Sequence, residues 1–292
     1  MTKLSIIVPN FNHAPYLGET LDSILNQDFK DFELLVGDDA STDNSVEVIK
    51  AYGSRIRPFF FKKNRGYFSV VDDLVPEAKG EFLHIFSSDD IYMPGFLSSC
   101  MELLEREKLK LVCTNIGYFN SESERTTNLL PIARVFHKEQ IVEAFRNTDF
   151  WIPGVACIVA KESYIKYGPH NPELENLCDW YLFHHIALFE GVGFLPQVGV
   201  KMREQESSYT ATVKRSRKRR NATYWALLRD VVKDRKRRKL FRDSTVLSYI
   251  FDNLFWKLIW RPQWWDFFYA SRKKSPISRR FTKSIKKRLH AT

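Results

Sequence analysis

Phe82-Leu83-His84-Ile85-Phe86-Ser87-Ser88-Asp89-Asp90-Ile91-Tyr92-Met93-Pro94 runs from an apolar stretch straight into two hydroxyls and two adjacent carboxylates. The apolar part, from Glu81 to Phe86, has the length and composition of a buried strand. The polar part therefore stands at the end of that strand. Two carboxylates side by side repel one another unless positive charge lies near them. A divalent cation, Mg2+ or Mn2+, meets that need by taking one or two carboxylates together with substrate phosphates. The competing reading is an aspartate that caps the next helix.

Working outward, Leu4-Ser5-Ile6-Ile7-Val8, closed by Pro9, reads as a first strand and leads into Asn10-Phe11-Asn12. A helix follows with Leu17, Leu21, Ile24 and Leu25 on one face. Phe32 to Val36 is a second strand, ending at Gly37-Asp38-Asp39, where turn or capping duty is the stronger reading for Asp38. Ser41-Thr42-Asp43-Asn44 has the residue types of a helix start. Ile56 to Phe61 is a third strand and Phe68 to Ala78 a third helix. Strands alternating with helices predict a mostly parallel α/β sheet. Ligands bind such sheets at the carboxyl ends of the strands, and three loops on that rim are polar.

Beyond the opening stretch, residues 96–109 read as a helix, Leu111 to Tyr118 as a strand and 120–135 as a loop near the site. Ile158-Val159-Ala160 and Phe194-Leu195 are short strand candidates, and Asp179 to Phe189 a helix. His84 lies inside an apolar strand and reads as a core residue. His184 and His185 are adjacent on a helix, so they do not share a face and make a poor ligand pair.

The chain has 292 residues, of which 44% are hydrophobic and 14% aromatic, enough to exclude wholesale disorder. No apolar run reaches the roughly 18 residues of a membrane span. Cys100, Cys113, Cys157 and Cys178 have no CxxC spacing, which argues against a zinc knuckle and for reduced thiols in a cytoplasmic protein. The net charge of +10 is an average of two unlike parts. Residues 201–292 carry +20, and residues 1–200 carry −10.

The order and spacing of several segments resemble glycosyltransferase family 2, the inverting nucleotide-sugar transferases of the GT-A fold. The resemblance covers roughly residues 3–205. It rests on Ser5 to Asn12, Phe32 to Asp43, Asn64-Arg65-Gly66, Ala78-Lys79-Gly80-Glu81-Phe82 and Ser87 to Gly95. It implies a Rossmann-like, mostly parallel sheet with flanking helices over residues 1–206. It also implies that Pro9, Asn10 and Phe11 line the nucleotide-base pocket and that Asp39 hydrogen-bonds the base, usually uracil. Ser88 and Asp89 then fall where the family's DxD-type segment meets ribose and metal, with Asp89 the metal ligand and Asp90 its support. Asp179, which local sequence alone reads as a helix N-cap, becomes the general base. Three departures stand out: Ser87 replaces the family's usual Asp, Val71 a common basic residue, and Tyr181 a frequent second acid.

Residues 207–292 form the second part, a helical extension with basic runs at 214–220 and 235–239 among many Trp and Phe residues. From Val246 to Trp260 the polar positions Ser248, Asp252 and Lys257, then Arg261, follow one narrow stripe. Basic and aromatic residues on such a helix fit an anionic membrane surface. This predicts a peripheral protein on the cytoplasmic face of the membrane. Packing on the catalytic part, or a homodimer interface, is the competing reading. Nucleic acid ranks third, since no nucleic-acid module accompanies these residues. Arg203 reads equally as a diphosphate contact and as a surface ion pair. The expected reaction is transfer from a nucleotide-sugar donor, of the UDP class by resemblance, to a saccharide or lipid-linked saccharide acceptor. The alternative is a non-catalytic nucleotide-sugar-binding or membrane scaffold protein on the same fold.

Overall fold

A computed structural model describes residues 2–168, 171–205, 213, 215–258, 261–271 and 274. The 206/207 boundary, Lys214 and Trp260 lie outside the described residues. In chain order the first elements are β1 (Leu4–Asn10), α1 (Ala14–Leu25), β2 (Phe32–Asp38), α2 (Ser45–Ala51), β3 (Arg57–Phe60), α3 (Tyr67–Glu77) and β4 (Phe82–Ile85). Then come β5 (Ile91–Tyr92), α4 (Phe96–Arg106), β6 (Leu111–Phe119), β7 (Glu124–Thr126), β8 (Arg134–Phe136), α5 (Ile141–Asn147), β9 (Cys157–Ala160), α6 (Lys161–Tyr167), α7 (Cys178–Glu190) and β10 (Val192–Arg203). The helices α8 (Arg217–Val231), α9 (Arg235–Ser244), α10 (Ser248–Leu258) and α11 (Trp265–Ser271) complete the chain.

The strands form one sheet in the order β3-β2-β1-β4-β9-β6-β10-β5, with β7 on β6 and β8 on β10. The half built from β3, β2, β1 and β4 is parallel, as the strand–helix alternation predicts. The other half is mixed, because β9 enters antiparallel between β4 and β6. Periodicity reports burial and carries no strand direction, so this insertion is invisible in the sequence. β10 is 12 residues long and joins the two short strands expected around Phe194 and Val198. Pro196 does not end it, because the register shifts between Leu195 and Val198 and the strand continues beyond. The expected loop at 120–135 contains the exposed β7 and runs into β8, each of three residues, with Val135 and Phe136 of β8 half-buried.

Successive side chains of a strand face opposite sides, and β1 shows the consequence. Ile7 joins the core with α3 and α7, while Leu4, Ile6 and Val8 join the core with α1 and α4. Gly80, in the turn before β4, lies so close to β1 that a Cβ there would stand 2.4 Å from the Ser5 nitrogen. The Gly80 N–H donates to the Ser5 hydroxyl at 2.8 Å, fixing the height of β4 beside β1.

The C-terminal helices belong to the same core. Leu227, Leu228, Val231, Phe241, Leu247, Ile250, Leu254, Leu258, Phe267 and Phe268 are buried with Tyr181, Leu182 and Ile186 of α7. The apolar stripe of α10 thus faces protein. Burial of each such side chain is worth about 2 kcal/mol before its entropy cost, so undocking α10 would expose a costly surface. No helix among the described residues is long and apolar enough to cross a membrane. All four cysteines are buried and unpaired.

Candidate active site

Three loops at the carboxyl ends of β1, β2 and β4 are tied together by short polar side chains. Asn10 Nδ2 donates to Asp38 Oδ1 at 2.8 Å and to the Ser41 hydroxyl at 3.2 Å. Asn12 Oδ1 accepts the Thr42 N–H at 2.7 Å. Asp38 also accepts the Ser41 N–H at 3.0 Å and its hydroxyl at 2.6 Å, so it organises the turn. Buried Asn10 Oδ1 has no partner among the described residues. Pro9 is buried beneath this loop, and Phe11 stands on the rim, 40% exposed.

Asp39 faces the Asn64-Arg65-Gly66 turn. Its carboxylate accepts the Arg65 N–H at 3.0 Å and the Gly66 N–H at 2.6 Å. This connects the β2 loop to the start of α3.

At the end of β4, Ser88 is buried and its hydroxyl shares a 2.8 Å hydrogen bond with His13 Nδ1. Asp89 Oδ2 accepts Gln205 Nε2–H at 3.0 Å. Asp90 Oδ1 accepts the Arg203 backbone N–H at 2.8 Å. The latter contact follows from topology: β5, directly after Asp90, pairs antiparallel with β10, matching Ile91 to Lys201. Arg203 forms an ion pair, one of the two roles left open by the sequence, and also braces the β4 loop. Its Nε donates to the Asp89 carbonyl at 3.1 Å, and its Nη2 pairs with Glu19 at 2.5 Å. Tyr16 and Phe119 flank its guanidinium at 4.7 and 4.5 Å. His13 and Gln205 are site residues that sequence reading missed. The polar rim loop after β1 and the nearness of Gln205 to Arg203 were the available signals.

Burial raises the Asp89 pKa, partly offset by His13 and Arg203. Burial and then the charge of Asp89 push Asp90 up to about 8. The protein alone therefore leaves this carboxylate pair short of positive charge. That is the condition a divalent cation relieves. Among the described residues, no group of three or more His, Cys, Asp or Glu side chains gathers to hold a metal. A cation at Asp89 would take its remaining ligands from substrate phosphates and water, a pattern that suits Mg2+ or Mn2+.

Asp179 lies in the first turn of α7, but the N-cap is Leu177. Its Oδ1 instead accepts the N–H of Trp180 at 2.7 Å. A negative charge in the first helical turn is favoured by the helix dipole. Gly154, at the start of a short 3-10 turn before β9, backs this carboxylate: a Cβ there would stand 2.3 Å from Asp179 Oδ2. Burial raises the Asp179 pKa. Tyr67, at the start of α3, is 40% exposed as a residue, and its hydroxyl pKa is raised by desolvation first and then by its neighbours Cys178, Asp179, Tyr164 and Asp90.

The three departures acquire structural roles. Val71 is fully buried in the core. The Ser87 hydroxyl hydrogen-bonds Asp90 and partly offsets the rise in its pKa. Tyr181 donates to Asp230 of α8 at 2.6 Å. The histidines are structural, as expected. His84 bonds the Val155 carbonyl at 2.8 Å and the Tyr92 hydroxyl. His184 bonds the Trp180 carbonyl at 2.7 Å and receives the Ile152 N–H at 3.3 Å. Before α7, Glu175 has φ 43° and ψ −123°. Such a backbone favours glycine and costs another residue roughly 1–3 kcal/mol.

A mixed sheet with acidic loops at the ends of β2 and β4, and a half-buried carboxylate in the first turn of a later helix, is the GT-A arrangement. The family model described as Glycosyl transferase family 2 matches residues 5–166, and the chain belongs to that family. An uncharacterised glycosyltransferase of Rickettsia typhi is 27% identical over 211 residues, covering 72% of this chain and 66% of the relative, just under two thirds of its length. The Campylobacter jejuni GalNAc(5)-diNAcBac-PP-undecaprenol beta-1,3-glucosyltransferase is 37% identical over 107 residues, covering 35% of this chain and 34% of that protein. Staphylococcus aureus TarS 1–349, solved with UDP-GlcNAc, superposes with a TM-score of 0.71 at 17% identity, covering 93% and 80% of the two chains. The mannosyltransferase PcManGT of Pyrobaculum calidifontis, solved with GDP-Man and Mn2+, gives 0.60 at 14% identity, covering 99% and 81%.

Proposed function

We propose that this chain is an inverting, metal-dependent hexosyl- or N-acetylhexosaminyl-transferase that uses a UDP-sugar and a saccharide or lipid-linked saccharide acceptor. The observation that carries the proposal is the pair of carboxylate sets: Asp89–Asp90 at the end of β4, held by Gln205 and the Arg203 backbone, and Asp179 in the first turn of α7, backed by Gly154. The first suits a metal–diphosphate group and the second a proton acceptor.

Phe11 offers an exposed ring to the base beside Pro9 and Asn10. The Asp39 carboxylate keeps lone pairs for a base N–H after accepting from Arg65 and Gly66. Ser88, held by His13, is placed for ribose. A divalent cation at Asp89, supported by Asp90, would serve as Lewis acid and orient the leaving diphosphate. With Val71 in the core, Arg203 and His13 are the cationic or cation-capable side chains beside this loop. Asp179 takes the acceptor hydroxyl proton, and the desolvation that raises its pKa makes it a stronger base than an exposed carboxylate. Attack opposite the leaving group inverts the anomeric carbon.

The lipid-linked acceptor draws on the name of the Campylobacter jejuni relative. We place the chain on the cytoplasmic membrane face, supported by Trp265 and Tyr269, which are 41% and 48% exposed on α11. A cavity of about 650 Å³ lined by Lys110, Lys138, Lys166 and Lys236 adds a basic face. Lys110 precedes β6, so this face is on the rim opposite the proposed donor loops.

The decisive experiment measures UDP release from UDP-sugars, with acceptor and with Mg2+ or Mn2+. Asp179→Asn should keep donor binding and lose roughly 10²–10⁴-fold in turnover. Wild-type turnover in that variant overturns the base assignment, and unaltered activity after chelation overturns the metal. Flotation with anionic liposomes tests the membrane reading, which fails if binding ignores anionic lipid.

A further inference from the structure

We propose that Arg219 is a positioning residue for the base: the C-terminal helices clamp the segment that delivers Asp179. This rests on the assignment of Asp179 as base. The 3-10 segment Pro172–Leu177 runs directly into α7, and Asp179 is its second helical residue. Four residues before the base, Glu175 holds a glycine-like backbone with φ 43°. A non-glycine residue stays there only when its surroundings fix it.

Arg219 of α8 supplies that restraint. Its Nη2 lies 2.9 Å from Glu175 Oε2, and its Nε lies 3.1 Å from the same oxygen and 3.4 Å from Oε1. Ser216 caps α8 by accepting the Arg219 N–H at 3.3 Å, so the arginine springs from a fixed helix start. Two residues after the base, the Tyr181 hydroxyl donates to Asp230 at 2.6 Å, and Arg237 Nη1 holds Asp230 at 3.1 Å. The Tyr181 ring stacks on Phe241 of α9 with centroids 5.4 Å apart. The Arg229–Glu173 pair is exposed on both sides and contributes little. The base is therefore braced on both sides in sequence by the extension. Without the Arg219 anchor, Glu175 can relax toward negative φ, and the turn bearing Asp179 moves off Gly154.

The experiment compares Arg219→Gln, Glu175→Gly and the double variant in the full-length protein. Arg219→Gln should lower kcat at least tenfold, leave donor KM unchanged and move the acid limb of the kcat profile toward the ordinary carboxylate range. Glycine accepts φ 43° without a clamp, so Glu175→Gly should restore the double variant to within threefold of wild type. A kcat within twofold of wild type for Arg219→Gln overturns the proposal. So does a double variant as impaired as Arg219→Gln, because a general stability role gives no rescue. Asp179→Asn is run alongside. If it is inactive while Arg219→Gln is fully active, only the clamp fails; if it is fully active, the base assignment has failed.

Discussion

Gly154→Ala probes the placement of the proposed base without altering its chemistry. The added Cβ would stand 2.3 Å from Asp179 Oδ2, 2.8 Å from its Cγ and 2.9 Å from its Cβ. Comfortable heavy-atom separations are about 3.5 Å, so the two groups must part by about 1 Å. Rotating the carboxylate does not suffice, because the Asp179 Cβ is itself too close. The first turn of α7 or the Gly154 turn has to shift. A displacement of about 1 Å at a reacting group can cost about 10²-fold in rate, equivalent to about 2.7 kcal/mol in the barrier. Saturation kinetics should show this loss in kcat with donor KM nearly constant, since the proposed donor contacts lie on the β1, β2 and β4 loops. Overpacking also costs about 1–3 kcal/mol of stability, so turnover is measured well below the melting transition of the variant. A folded Gly154→Ala protein with kcat within threefold of wild type would refute the reasoning.

His185 is buried among Tyr167, Tyr181, Phe189 and Phe241, and burial followed by Arg237 pushes its pKa down to about 4. Its contribution is full above the unfolded pKa near 6.5 and is lost as pH falls toward 4; between pH 7 and 5 this amounts to about 2 kcal/mol. Urea denaturation of His185→Phe should lose about that much less than wild type over the same interval, and an identical pH dependence would contradict it. Tyr181→Phe removes a hydrogen bond to a half-buried carboxylate and should lower stability by about 1–2 kcal/mol. Equal urea midpoints for the two proteins would show that Lys233 and Arg237 satisfy Asp230 unaided.

The parallel half of the fold was legible because its strands run into punctuation: Pro9 and Asn10 at the end of β1, Gly37 to Asp39 at the end of β2, and Ser87 to Asp90 after β4. Those same residues carry the proposed donor site, so fold and site were read from one pattern. The antiparallel β9 was not legible, since a four-residue apolar strand looks alike in either direction. Gln205 and His13 were missed because both meet the β4 loop through tertiary contacts 116 and 75 residues away in sequence. The helical cap expected from local sequence at Asp179 was wrong for a related reason. A chain turn upstream, at the strained Glu175, puts the cap at Leu177, two residues before Asp179, and so frees the carboxylate from capping.

The charge division of the sequence also changes meaning in three dimensions. A tail at +20 beside a body at −10 suggests an external anion for the tail. Yet Arg219 and Arg229 pair with Glu175 and Glu173 of the body, while Arg237, Arg238 and Arg242 pair with acids of the extension itself. Arg238 grips Asp266 with two hydrogen bonds, at 2.7 and 3.0 Å, and so fastens α9 to α11. These cations cannot serve a membrane without giving up contacts that hold the extension on α7. Of the lysines that line the cavity, Lys110 and Lys138 pair with Glu162 and Glu139, and Lys236 lies over the Phe189 ring at 5.0 Å. The basic extension thus spends much of its positive charge inside the protein, with Arg219 on the segment that carries Asp179 and Arg238 joining α9 to α11.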